Sequence, residues 1–104
     1  MSPTRKLAAI MFTDIAGFTE LSAKDEEKAF ALVKKQREIL KPIVVEHNGN
    51  WLKEMGDGLL LSFPSSKQAV NCAINIQHSV KEIEDLNLRI GIHQGDILEE
   101  GGDV

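Results

Sequence analysis

Gly56-Asp57-Gly58 is all that separates two short apolar-rich runs, Trp51 to Met55 and Leu59 to Phe63. A break that short, with two glycines, is a hairpin turn. It makes the two runs adjacent antiparallel strands, and the rest of the chain has to fit around them. Upstream, Leu7-Ala8-Ala9-Ile10-Met11-Phe12 is continuously apolar and suits a strand buried on both faces. Lys24 to His47 reads as a long helix, with Phe30, Val33, Leu40 and Val44 near helical spacing. Ser22 or Asp25 can cap its start, Pro42 should kink or split it, and Asn48-Gly49 ends it. Ser65 and Gln68 stand at capping-box spacing before a second helix that carries Val70, Ala73, Ile74, Gln77 and Val80. Leu88 to His93 alternates as a half-buried strand, and Gly95, Gly101 and Gly102 mark a loosening tail.

The resulting order, β-α-β-β-α-β, is the α+β, ferredoxin-like split motif. Its antiparallel sheet carries helices on one face and places the first strand between the third and fourth. The end of the first strand, at Asp14, then lies beside the start of the third, at Asp57. Two carboxylates brought together at strand ends make a cage for hard divalent cations. Neighbouring glycine lets a phosphate approach the backbone, and the helix that follows Gly17 offers free N–H groups to an anion. Taken singly, either aspartate would read as a helix cap or turn residue.

At 104 residues the chain is one domain, with residues 1–5 as a polar leader and 6–104 as the domain. The net charge of −4 argues against non-specific binding to nucleic acid or a membrane surface. No aromatic residues recur on the strands as base-stacking platforms. No apolar stretch approaches the length of a transmembrane helix. Cys72 is the sole cysteine, which fits a reducing, cytoplasmic setting, and it reads as a small buried helix residue. His47 and His78 have no ligand spacing, His93 reads as structural, and Trp51 and Phe63 read as core or interface residues.

Three segments, Phe12-Thr13-Asp14-Ile15-Ala16-Gly17-Phe18-Thr19, Lys53-Glu54-Met55-Gly56-Asp57-Gly58 and Arg89-Ile90-Gly91-Ile92-His93-Gln94-Gly95, together resemble the class III adenylate/guanylate cyclase catalytic domain. The match is collinear from about residue 6 to the last residue. The resemblance implies conversion of a nucleoside triphosphate to a 3′,5′-cyclic nucleotide and pyrophosphate, with two divalent cations, Mg2+ or Mn2+. Asp14, Asp57 and the Ile15 carbonyl would hold the metals. The Gly17, Phe18 and Thr19 amides would cradle the triphosphate. Lys53 stands at the base-reading position, where an ammonium donates to adenine N1 and a glutamate would instead accept from guanine. Asp103 would be the second adenine reader, accepting from the N6 amine. The implied substrate is ATP and the implied assembly a homodimer, with metals from one subunit and base readers from the other.

The family's asparagine and arginine, which orient the ribose and stabilise the transition-state phosphate, would fall past Val104. Losing such a charged stabiliser costs about 2–4 kcal/mol, so the chain by itself is expected to turn over little substrate. The alternative is a non-catalytic, cyclase-like module that binds nucleotide or a partner subunit. Gly101-Gly102-Asp103 also invites comparison with the diguanylate cyclases, but their glycine pair sits in the hairpin between the second and third strands, and here that hairpin is Gly56-Asp57-Gly58.

Overall fold

The computed structural model describes residues 4–99, with side chains over 7–95. Seven elements follow one another: β1 (Thr4–Ile15), α1 (Phe18–Lys24), α2 (Glu26–Glu46), β2 (Asn50–Met55), β3 (Gly58–Phe63), α3 (Ser66–Val80) and β4 (Leu88–Glu99). The strands form one sheet in the order β2-β3-β1-β4, with every neighbouring pair antiparallel. This is the α+β, ferredoxin-like arrangement. β1 lies between β3 and β4, with Thr13 opposite Leu59 and Asp14 opposite Arg89.

Helices cover one face of the sheet. Met11, Ile15, Leu61 and Phe63 point into that layer and meet Leu40, Val44, Cys72 and Ile76 from α2 and α3. Each such side chain contributes about 1.5–3 kcal/mol on burial. Among the described residues nothing covers the other face. The apolar run in β1 is therefore not buried on both sides: Met11 is 0% exposed and its neighbour Phe12 is 51% exposed. Among the described residues no helix is long and apolar enough to cross a membrane.

The expected helix from Lys24 to His47 is α2, which starts at Glu26, and the short α1 after Gly17 ends at Lys24 just before it. Asp25 takes an extended-like backbone and accepts a bond from the Lys28 amide, capping α2. α2 runs unbroken through Pro42, so of the expected kink or split the split does not occur. It buries Ala29, Leu32, Gln36, Leu40 and Val44, while Phe30 points outward at 76% exposure. Asn48, at φ 61°, turns the chain out of α2, and the Gly49 amide bonds back to the Val44 carbonyl at 2.8 Å. A Cβ on Gly49 would come within 2.5 Å of the Phe63 ring, so only glycine lets β2 start this close to the core.

Ser65 caps α3 by accepting from the Gln68 amide, as the spacing predicts. The face that α3 buries is Ala69, Cys72, Ile76 and Val80; Val70 and Ile74 stay about half exposed. β4 does not loosen at Gly95. It continues to Glu99 because β1 begins at Thr4, inside the supposed leader, and pairs with it along the whole length. Gly101, Gly102 and Asp103 lie outside the described residues.

Candidate nucleotide and metal site

β1 and β3 run antiparallel, so the end of one meets the start of the other. Gly56 takes φ 63° in the tight turn between β2 and β3, a conformation that favours glycine. Asp57 follows, and its Oδ2 accepts a bond from the Ile15 amide at 2.8 Å. From beneath, the buried Gln36 donates its Nε2 to the Asp57 backbone carbonyl at 3.3 Å. The aspartate is thus held by its carboxylate from β1 and by its backbone from α2. Gln36 was missed by periodicity, which treats a polar residue as surface; an amide on the buried stripe of α2 was the available signal.

Asp14 lies one residue before Ile15, and Gly17, at φ 75°, turns the chain into α1. Asp14, Ile15, Gly17, Phe18, Thr19, Glu20, Asp57 and Arg89 line one cleft of about 300 Å³. The expected convergence of Asp14, Ile15, Asp57 and the Gly17-Phe18-Thr19 turn is present. Arg89 is an addition. It reaches across from β4 as a fork, Nε to Asp14 Oδ1 at 2.7 Å and Nη2 to Oδ2 at 3.1 Å. That bond, reinforced by the charges of Asp14 and then Asp57, raises its already high pKa. Sequence showed the arginine but not the register that aligns it with Asp14.

The oxygens here suit a hard cation. Mg2+ is commonly bound by one or two carboxylates together with substrate phosphate and water, and two carboxylates with nearby backbone carbonyls are what this cleft provides. No cluster of three or more histidine, cysteine or acidic side chains with metal-site geometry occurs among the described residues. Backbone carbonyls, water or ligand oxygens would complete a coordination shell there.

Lys53 lies elsewhere. It pairs with Leu60, which pairs with Phe12, which pairs with Gly91, so the four form a row on the open face of the sheet. Strands lie about 4.8 Å apart, so Lys53 on β2 is about 10 Å sideways from β1 and its Asp14. Asp103, the other expected base reader, lies outside the described residues. His93 is exposed on β4 opposite Ile10. Cys72 is buried against the core, and burial pushes its thiol up to about 11, which leaves it unreactive.

The fold and the cleft together define a class: an α+β domain with paired carboxylates at the β1 and β3 ends beside a glycine turn. The family model for the adenylate and guanylate cyclase catalytic domain matches residues 2–101. The chain belongs to that family. A provisionally named adenylate cyclase 3 from Rhizobium meliloti (strain 1021) is 35% identical, over 96% of this chain and 18% of that protein. An adenylate/guanylate cyclase/hydrolase from Silicibacter pomeroyi is 34% identical with a TM-score of 0.82, over 97% of this chain and 63% of that one. The guanylyl cyclase Cya2 superposes with a TM-score of 0.84 at 23% identity, over 94% of this chain and 58% of that one, and supports the fold. The chain thus spans about a fifth of the curated relative and about three fifths of these solved chains.

Proposed function

We propose that this chain is the metal- and nucleotide-binding part of an adenylate cyclase, which converts ATP to 3′,5′-cyclic AMP and pyrophosphate across a homodimer interface. The observation that carries the reading is the convergence of Asp14, Asp57 and the Gly17 turn on one cleft. Asp14, Asp57 and the Ile15 carbonyl would hold two divalent cations, Mg2+ or Mn2+. When bound, such cations supply activation of the ribose 3′-hydroxyl and neutralise charge on the leaving pyrophosphate.

The chain's own groups do the rest. The Ile15 amide and Gln36 fix Asp57 in place, so little reorganisation is needed when ligand arrives. The amides of Gly17, Phe18 and Thr19 donate to phosphate oxygens. Arg89 is the cation on the cleft wall, and it transfers its fork from Asp14 to phosphate once Asp14 is otherwise engaged. The relatives are named for either nucleotide, so adenine over guanine rests on Lys53. Its ammonium can donate to adenine N1 and has nothing to accept with. Asp103 would accept from the adenine N6 amine. With open faces paired about a two-fold axis, each Lys53 serves the partner's cleft.

A second reading, a nucleotide-binding module without turnover, is favoured by Arg89, whose fork occupies both oxygens of Asp14. Calorimetric titration with ATP and Mn2+, alongside assay of cyclic AMP, separates the two. Binding with product supports the cyclase, and binding without product the module. Asp14→Ala or Asp57→Ala should weaken binding at least about tenfold by removing a ligand from the cation pair. Unchanged binding in both variants removes the metal assignment.

A further inference from the structure

Asp14 and Arg89 are register partners near the end of the β1–β4 ladder. Their neighbours Thr13, Ile15, Leu88 and Ile90 turn toward the helix layer, so alternation puts both side chains on the opposite face. Directly opposite side chains stand about 5 Å apart, which lets the guanidinium meet the carboxylate edge to edge. The resulting fork, at 2.7 and 3.1 Å, takes both oxygens of Asp14.

That fork stands in the way of a bare cation. Asp57 has committed its Oδ2 to the Ile15 amide, so its Oδ1 is the one carboxylate oxygen of the two aspartates that makes no bond among the described residues. Asp14 can serve an ion only after the fork is displaced. A triphosphate alone fares no better. Asp14, Glu20 and Asp57 line the cleft, and Arg89 is the one basic side chain among the described residues around it, so phosphate meets like charge. Each ligand by itself faces an obstacle, and Arg89 is part of both.

The arginine is also free to swing. Its side chain is 70% exposed, and its bonds among the described residues go to Asp14 alone. Gly91, two residues on along the same face of β4, offers no side chain to pack it. An exposed ion pair is worth little in water, and a guanidinium forks phosphate as well as it forks carboxylate.

We propose that Arg89 is a latch on Asp14 that makes the cleft select a cation and a triphosphate together over either one alone. The proposal rests on the cation-site reading of Asp14 and Asp57. Phosphate gives the guanidinium a second partner of matching geometry. The fork moves over, and both oxygens of Asp14 become available to a cation. The coupling is reciprocal, so the cation strengthens triphosphate binding by the same factor. Nothing in it involves the base, and inorganic triphosphate should show it as ATP does.

The test is paramagnetic relaxation titration of Mn2+, with and without inorganic triphosphate, on wild type, Arg89→Met, Arg89→Lys and Asp14→Asn. A protein-free series accounts for Mn2+ held by triphosphate in solution. Arg89→Met should bind Mn2+ alone at least about threefold more tightly than wild type, and the tightening by triphosphate should shrink by the same factor. Arg89→Lys, which keeps the charge and loses the fork, should lie between the two. A mere phosphate contact would leave binding of Mn2+ alone unchanged in Arg89→Met, and a mere prop for Asp14 would weaken it. Either result, or an undiminished triphosphate effect in that variant, overturns the latch and leaves the cation site standing. Arg89→Lys indistinguishable from wild type assigns the effect to charge alone and overturns the latch as well. Equal Mn2+ binding by wild type and Asp14→Asn in the presence of triphosphate overturns the cation-site reading and the latch with it.

Discussion

Arg89 holds both oxygens of Asp14, so a cation entering the cleft competes with a guanidinium for that carboxylate. Asp57 is different: one oxygen is engaged by the Ile15 amide and the backbone is braced by Gln36. At this scale Lys53→Glu is the sharpest substitution, because it exchanges a donor for an acceptor on an exposed row and disturbs no core contact. The ATP preference should fall by at least about tenfold, read as the ratio of the two dissociation constants; an unchanged ratio removes Lys53 as the base reader. Glu54 carries a pH prediction. The hydrogen bond from Arg37, opposed by desolvation and aided by Trp51, lowers its pKa. A carboxylate with a depressed folded pKa contributes stability above its unfolded pKa and loses it as pH falls through the folded value. Thermal unfolding from pH 6 down to about pH 3 should therefore show a loss in wild type that is smaller in Glu54→Gln. Identical acid limbs would mean that the Arg37 fork contributes nothing to the folded state.

The elements were largely legible before the structure, because most follow from local rules. The Gly56-Asp57-Gly58 break demanded a hairpin, and Gly56 takes the left-handed conformation such a turn requires. Gly56→Val should destabilise the domain by about 1–2 kcal/mol through strain in that turn, measured by urea denaturation; an unchanged midpoint would show that the turn relaxes. Less was legible where neighbours decide. Phe30 looked like a core residue and is exposed, whereas Gln36, which the apolar spacing left unassigned, lies buried beneath Asp57. Helical period alone cannot choose between adjacent stripes when α2 carries apolar residues on both. The bulge at Leu52 was invisible for a similar reason. Local sequence does not mark it; on either side of it Trp51 and Glu54 meet Lys41 and Arg37 of α2. The length of β4 was hidden too, since it is set by pairing with β1 from Thr4 onward.

For the whole molecule, topology is what brings two distant aspartates to one cleft. The strand order β2-β3-β1-β4 brings residues 14 and 57 together, and the β-α-β-β-α-β reading of the chain was enough to anticipate it. Arg89 entered from the far side of the sheet through a register that no local pattern carried. The open face, with Phe12 and Lys53 in one row, is where a second subunit would meet the first in the proposed dimer. The central claim is that Asp14 and Asp57 act as a joint cation site that also needs nucleotide phosphate. Paramagnetic relaxation titration of Mn2+ tests it directly, with and without ATP, on wild type, Asp14→Asn and Asp57→Asn. The account predicts that ATP tightens Mn2+ binding in the wild-type protein and that either substitution weakens the ternary complex by at least about tenfold. Equal Mn2+ and ATP binding in all three proteins would contradict it.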